Sequence, residues 1–122
     1  MTPEQVVQEQ LEAYNAKDLD RLLRTYAEDG EQYTLHGERL AHGHDSMRER
    51  FALRFQEPDL HARLLSRLVF GNIVVDREVV TRNFPEGNGT IEMLCIYEVA
   101  GGRIRKASFA LGAKTLAADA AR

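Results

Sequence analysis

A two-residue turn between two long runs of strand-forming residues is the feature that most constrains the fold of this chain. Gly71-Asn72 suits the positive backbone φ angles of a tight hairpin turn, and residues 60–70 and 73–83 on either side are rich in Val, Ile and Leu. Paired residues of a hairpin keep a constant index sum, so Arg67 should face Asp76. The sequence therefore predicts a long antiparallel hairpin at the centre of the chain.

Helices are predicted before this hairpin. Thr2-Pro3-Glu4-Gln5 has the capping-box pattern of a helix start, with proline in the first turn. Asp18 is placed to cap a second helix that ends at Glu28-Asp29-Gly30, and a third helix begins at Asp45 or Ser46. Apolar residues recur at helical spacing in all three segments, so each helix should bury one face.

Strands account for most of the remaining chain. Residues 31–40 are predicted to form two short strands or an extended excursion, and residues 90–99 and 103–111 continue the hairpin into a four-strand meander. Three helices followed by such a meander indicate an α+β domain whose helices cover one face of the sheet. We assign residues 1–112 to this single domain and residues 113–122 to an Ala-rich C-terminal tail, for which we expect disorder.

Charge and cysteine usage exclude several classes of protein. Sixteen Lys and Arg against nineteen Asp and Glu give a net charge of −3, too balanced for a protein that binds nucleic acid by neutralising phosphates. Cys95 is the single cysteine, which fits a reducing compartment. The apolar runs are too short to span a bilayer, and the first residues lack the pattern of a signal peptide. We expect a cytoplasmic protein without nucleic-acid or membrane partners.

Three segments carry a resemblance to a known family. They are YNAKDLD at 14–20, YAED at 26–29 and GHDSMR at 43–48. In this order they resemble the SnoaL-like branch of the nuclear transport factor 2 superfold, over residues 3–111. The resemblance implies a cone in which a strongly curved antiparallel sheet wraps three N-terminal helices and leaves a hydrophobic pocket at the open end. Such proteins include ketosteroid isomerases, polyketide cyclases, limonene-epoxide hydrolases, dehydratases and binding modules, so the fold does not decide the function.

The residue sets of two of these chemistries are incomplete in this chain. Gln10, Thr34 and Cys95 lie where the resemblance places the Tyr, the Asp base and the protonated Asp of ketosteroid isomerases, and none of the three can take over that role. The epoxide hydrolases use an Asp-Arg-Asp relay. Asp76-Arg77-Glu78 supplies part of such a relay, but residues 106–109 contain no matching acid.

The two faces of the predicted hairpin permit opposite orientations. If its apolar face packs on the helices, Arg67 and Asp76 form a surface pair of little energetic worth. The resemblance implies the reverse, with Asp76 and Glu78 turned to the concave side together with Met93, Cys95, Tyr97, Ala107, Phe109 and Leu111. In that orientation a row of apolar side chains on the outer face of the sheet would be exposed to water. We therefore expect a homodimer that buries this face. The row consists of Leu64, Leu68, Val75, Leu94 and Ile96.

The inward orientation defines a candidate acid–base site. Asp76 or Glu78 is the candidate base, Arg67 orients the base and keeps it ionised, and His61, whose ordinary pKa is near neutrality, is a candidate acid–base residue. Tyr33, Tyr97 or His61 is the candidate hydrogen-bond donor. The candidate substrate-binding residues are Tyr14, Tyr33, Phe51, Phe55, Arg63, Met93, Cys95, Tyr97 and Phe109.

Two functions remain open. One is a cofactor-independent isomerase, cyclase or hydrolase that acts on a small hydrophobic molecule, a carbonyl or cyclic compound, by general acid–base chemistry. The other is a non-catalytic ligand-binding or accessory dimerisation module. His42-Gly43-His44-Asp45 has possible metal ligands, but its position before a helix favours a capping role, and we expect neither a metal nor another cofactor.

Overall fold

The computed structural model describes residues 1–120, which form four helices and six strands. In chain order the elements are α1 (Pro3–Asn15), α2 (Leu19–Arg24), β1 (Tyr26–Thr34), β2 (Arg39–His42), α3 (Gly43–Arg54), β3 (His61–Phe70), β4 (Ile73–Phe84), β5 (Gly87–Ala100), β6 (Arg103–Leu116) and α4 (Ala117–Ala120). None of the helices within residues 1–120 is long and apolar enough to cross a lipid bilayer.

Local capping explains where the first two helices begin. The Gln5 backbone N–H donates to Thr2 Oγ1 at 3.2 Å, and the Thr2 backbone N–H donates to Gln5 Oε1 at 2.9 Å, which completes the capping box. The Arg21 backbone N–H donates to Asp18 Oδ1 at 3.1 Å at the start of α2. Both starts lie where the sequence predicts them.

The second helix is shorter than the sequence predicts. It ends at Arg24, and Tyr26 opens β1 instead of continuing the helix to residue 30. Tyr26 is paired with Ile104 of β6 and is completely buried, so tertiary pairing overrides the helical spacing of this segment. The third helix begins at Gly43, two residues earlier than predicted, and His42 forms no side-chain cap there.

The strands form one sheet in the order β2-β1-β6-β5-β4-β3. The pairs from β3 to β6 are antiparallel, as the meander predicts, and β1 with β2 supplies the two short strands expected at 31–40. Strands β1 and β6 are parallel, so the sheet is mixed rather than wholly antiparallel. The sheet is curved and unclosed, and α1, α2 and α3 pack on its concave side, which confirms the α+β class and the cone.

A β-bulge in β3 changes which side chains of that strand face the helices. Ser66 pairs with Arg77 in the register set by the turn, but Leu64 pairs with Glu78, so Leu65 is an extra residue. The predicted register therefore holds from the turn to Ser66 and shifts by one residue beyond it. As a consequence Ala62, and not His61 or Arg63, is buried against the helices.

The last strand extends into the segment that the sequence assigns to a tail. Residues 113–116 continue β6 and pair with the start of β5, where Leu116 lies opposite Gly89. The approach is so close that a Cβ atom at Gly89 would lie 2.4 Å from the Thr115 carbonyl oxygen. Strand β6 thus continues through residue 116, and the short helix α4 follows it. The part of the predicted tail at 121–122 lies outside the described residues.

Candidate functional site

A cavity of about 240 Å³ lies between α1, α3 and the concave face of the sheet. Its walls are mostly apolar, with a few polar and charged groups, as is typical of a small-molecule site. The lining residues of the helices and of β1 and β2 are Gln10, Leu11, Tyr14, Thr34, Leu40, Arg50, Phe51 and Arg54, and those of β3 to β6 are Ala62, Glu78, Val80, Arg82, Ile91, Met93, Cys95, Tyr97, Phe109 and Leu111.

Glu78 is the acidic residue of this lining. It lies in the middle of β4 opposite Met93, and only 5% of its surface is exposed. Burial, together with a smaller contribution from the negative charge of Asp76, raises the pKa of the Glu78 carboxyl to about 7. The Cys95 thiol and Arg67 act in the opposite direction. Within residues 1–120 no basic side chain forms a salt bridge with Glu78, so its carboxyl group can exchange a proton near neutral pH.

Asp76 faces the same side of β4 but does not line the cavity. Its two carboxylate oxygens accept hydrogen bonds from Arg67 Nε at 2.7 Å and Arg67 Nη2 at 2.9 Å, and none of Asp76 is exposed. Arg67 Nη1 also donates to Gln8 Oε1 on α1 at 2.9 Å. Asp76 is therefore held in a bidentate ion pair beneath α1, in the inward orientation that the resemblance implies, and is not free to act as a base.

Two hydrogen-bonded side chains add further polar groups to the cavity wall. The Tyr97 hydroxyl group donates to Gln10 Oε1 at 3.3 Å, and both residues are buried. Burial raises the pKa of the Tyr97 hydroxyl group well above its usual value, so this group stays protonated. Tyr14 also lines the cavity, and burial raises the pKa of its hydroxyl group as well. The cavity thus contains hydroxyl donors as well as a carboxyl group.

Three arginines line the cavity, and the sequence analysis selected none of them. Arg50 and Arg54 lie one turn apart on α3, and Arg82 extends from β4. The sequence did contain a signal for two of these arginines: Arg50 and Arg54 are four residues apart in a predicted helix that also contains Phe51. It could be recognised only once the helix was placed against the sheet, because charged residues on a helix usually mark its solvent face.

The sequence-predicted binding residues divide into two groups. Those that line the cavity are Tyr14, Phe51, Met93, Cys95, Tyr97 and Phe109. Phe55 instead packs behind the wall, with its ring centroid 5.6 Å from that of Tyr14. Tyr33 points away from the cavity, where its hydroxyl group donates to Glu31 and Lys106 lies over its ring.

His61 and Arg63 are also absent from the cavity, and the bulge is the reason. Both are exposed, on the face of β3 that points away from the helices. The structure therefore does not place His61, the candidate acid–base residue, or Arg63, a candidate substrate-binding residue, in the cavity. Elsewhere, His44 Nε2 lies 2.9 Å from the Tyr26 carbonyl oxygen and secures the start of α3. In the described part of the chain no three His, Cys, Asp or Glu side chains are grouped to hold a metal ion.

The sequence pattern of the SnoaL-like domain matches residues 7–107. The chain belongs to the SnoaL-like family. The matched range covers residues 7–15 of α1, all of α3 and the central strands β3 to β5, and it contains every residue that lines the cavity except Phe109 and Leu111. No curated protein sequence matches the chain.

Solved structures agree with this SnoaL-like fold. An uncharacterised cystatin-fold protein from Novosphingobium aromaticivorans is 23% identical, with a TM-score of 0.84 over 90% of this chain and 98% of the other. An NTF2-like protein of unknown function from Burkholderia pseudomallei is 18% identical, with a TM-score of 0.79 over 90% of both chains. IdmH from Streptomyces antibioticus, a candidate polyketide cyclase, is 18% identical, with a TM-score of 0.77 over 91% and 92%. At these identities the likeness shows the fold alone.

The Arg67–Asp76 pair should be essential for stability. Replacing Arg67 with Met leaves the Asp76 carboxylate buried without its partner, and we expect a loss of about 3–5 kcal/mol in the free energy of unfolding, measured by chemical denaturation. Arg77→Met is the matched control, because Arg77 pairs with Glu92 on the exposed face and should contribute less than about 1 kcal/mol. Equal, small losses in both variants would contradict the buried pair.

Proposed function

We propose that this SnoaL-like protein is a cofactor-independent acid–base enzyme of the isomerase or cyclase type, with Glu78 as its general base. Its substrate is a small, mainly apolar carbonyl compound. The observation that carries the proposal is a single one: a buried carboxyl group with a pKa of about 7 that faces an apolar cavity and has no basic partner within residues 1–120.

Glu78 has the properties that a proton-abstracting base requires. A base works best when its pKa is close to the working pH, because it is then ionised in a large fraction of molecules and still binds the abstracted proton well. The carboxylate of a free Glu is a weak base at neutral pH, since its pKa is 4.5. Burial, together with the negative charge of Asp76, raises the pKa of Glu78 and so makes its carboxylate a stronger base.

Hydroxyl groups in the cavity wall can stabilise the charge that such a step creates. Removing a proton next to a carbonyl group produces an enolate, whose oxygen must accept hydrogen bonds. The hydroxyl groups of Tyr97 and Tyr14 remain protonated, and both residues line the cavity. Tyr97 would exchange its hydrogen bond to Gln10 for one to the enolate oxygen. Of the donors proposed from the sequence, Tyr97 is therefore retained, whereas Tyr33 and His61 lie outside the cavity. The apolar lining limits water, which strengthens these interactions.

The proposal predicts that the protein accelerates proton exchange in simple ketones. The α-protons of cyclohexanone or 2-cyclohexenone in D₂O should exchange faster with the protein present, as followed by ¹H NMR. The rate should rise with pH through a midpoint near 7 and level off above it, because only the ionised carboxylate of Glu78 is a base.

Glu78→Gln should reduce this exchange by about 100-fold or more. Glu92→Gln is the control, since Glu92 lies on the outer face of β5, and it should exchange at the wild-type rate. Ketones that raise the melting temperature of the wild type without any exchange would favour the non-catalytic ligand-binding module instead.

We further propose that the protein is a homodimer that associates through the outer face of its sheet. Exposed apolar side chains lie on this face, with Leu68 63%, Phe70 75% and Leu94 36% exposed, beside the half-buried Val75 and Ile96. Leu64, which the sequence analysis placed in the same row, is turned to the concave side by the bulge. An exposed apolar surface of this kind usually marks an interface.

Sedimentation tests the dimer. At micromolar concentration the wild type should sediment at twice the chain mass of 13.8 kDa. Leu68→Glu should give monomers, because it places a charge in the apolar face. Leu53→Glu, at an exposed position on α3, should leave the dimer intact. A wild-type protein that sediments only as a monomer would contradict the proposal.

A further inference from the structure

The Arg50 guanidinium is held in a fixed position at the wall of the cavity. Its Nη1 donates to Gln32 Oε1 at 2.7 Å, and Gln32 Nε2 donates to the Tyr26 hydroxyl oxygen at 3.1 Å. Gln32 and Tyr26 are completely buried, so this chain of hydrogen bonds cannot rearrange without disturbing the core. The Arg50 side chain also lies over the ring of Phe109, with Cζ 5.9 Å from the ring centroid. Arg50 is therefore positioned in advance of any ligand.

Arg50 differs from the other two arginines of the cavity in having no acidic partner. Arg82 forms a bidentate pair with Glu57, with distances of 2.7 Å and 2.8 Å, and Arg54 Nε lies 3.4 Å from the same carboxylate. No salt bridge to Arg50 is present within residues 1–120. The three cations thus share one neutralising carboxylate, and an excess of positive charge remains at this wall.

The remaining N–H groups of Arg50 face accessible space. Hydrogen bonding within residues 1–120 uses only Nη1, so Nε and Nη2 have no protein partner there. No buried side-chain nitrogen or oxygen in the described part of the chain lacks a partner. The two nitrogens are therefore not sealed in the core, and since Arg50 lines the cavity, a ligand can reach them.

A cation without an anionic partner is unfavourable in an apolar wall, and this suggests that a ligand supplies the missing negative charge. Burial lowers the pKa of Arg50, and repulsion from Arg54 lowers it further, so both effects disfavour the charged form of Arg50. A bound anion would stabilise the charge of Arg50. Two adjacent N–H groups of a guanidinium match the two oxygens of a carboxylate in a bidentate pair.

We propose that the cavity selects small apolar molecules that carry a single carboxylate, and that Arg50 is the residue that binds this group. The inference rests on the proposed function in one respect: if Glu78 is the base, its substrate is a carbonyl compound with a carboxylate, that is, an apolar keto acid. Carboxylate binding itself needs no catalysis and can be tested alone. We propose a ligand with one negative charge rather than two, because an ionised Glu78 already offsets part of the excess positive charge of the three arginines.

Calorimetric titration with a matched pair of probes tests the proposal. Cyclohexanecarboxylate and its neutral analogue cyclohexanecarboxamide have nearly the same shape, and they are compared at a pH below the pKa of Glu78. The carboxylate should bind at least about tenfold more tightly than the amide. Cyclohexyl phosphate is a third probe. If it binds more tightly than the carboxylate, the assignment to a carboxylate is wrong.

Variants on α3 locate the effect. Arg50→Met should weaken carboxylate binding by about tenfold or more and leave amide binding unchanged. Arg48→Met is the control, because Arg48 lies on the same helix, half exposed and paired with Asp20, and should bind like the wild type. Arg50→Lys, which keeps the charge but loses the planar fork, should bind with intermediate affinity and shows the effect even if the Met variant folds poorly.

The outcomes separate this inference from the proposed function. Equal affinities for carboxylate and amide, or an Arg50→Lys variant with wild-type selectivity, would overturn the role of Arg50 and leave the assignment of Glu78 as the base unaffected. Conversely, Glu78→Gln should still bind the carboxylate, because it removes a negative charge from the cavity. If the protein selects carboxylates but exchanges the α-protons of neither ketones nor apolar keto acids, the result would support Arg50 and remove Glu78 as the base.

Discussion

The buried Arg67–Asp76 ion pair is the interaction on which the site depends. Removing two charged groups from water is unfavourable, and only close bidentate geometry with further hydrogen bonds offsets it. Here the geometry is provided by directly paired positions of β3 and β4 and by Gln8 on α1. The pair fixes the charged face of the hairpin against the helices. Glu78, two residues along β4, is thereby brought into the cavity near the Asp76 carboxylate.

The same arrangement divides the roles of the two acids. Asp76 is paired with Arg67, is completely buried and does not line the cavity. Glu78 lacks such a partner within residues 1–120, and burial makes its ionised form less favourable. Two carboxyl groups on one strand thus acquire different chemistry from their surroundings alone. Since many functions occur on this fold, these side chains, and not the likeness to other structures, carry the functional argument.

Part of this architecture could be predicted from local sequence signals. The capping residues Thr2 and Asp18 act within one helical turn, and Gly71-Asn72 sets the register of the residues nearest the turn. The bulge at Leu65 has no local signal, because it depends on how the curved sheet fits the helices. It reversed the predicted orientation of His61 and Arg63. Arg50 was missed for a similar reason, since its hydrogen-bond partner Gln32 lies 18 residues away in sequence.

The central claim is that Glu78 exchanges its proton near neutral pH, and a ¹³C NMR titration of its side-chain carboxyl group tests it most directly. The account predicts a midpoint near 7 in the wild type, because burial and Asp76 favour the protonated form. In Asp76→Asn the midpoint should move down, since one of the two causes is removed, but should remain above the ordinary value of 4.5. A wild-type midpoint at or below 4.5 would contradict the account, because the carboxyl group would then be an ordinary acid and a weak base.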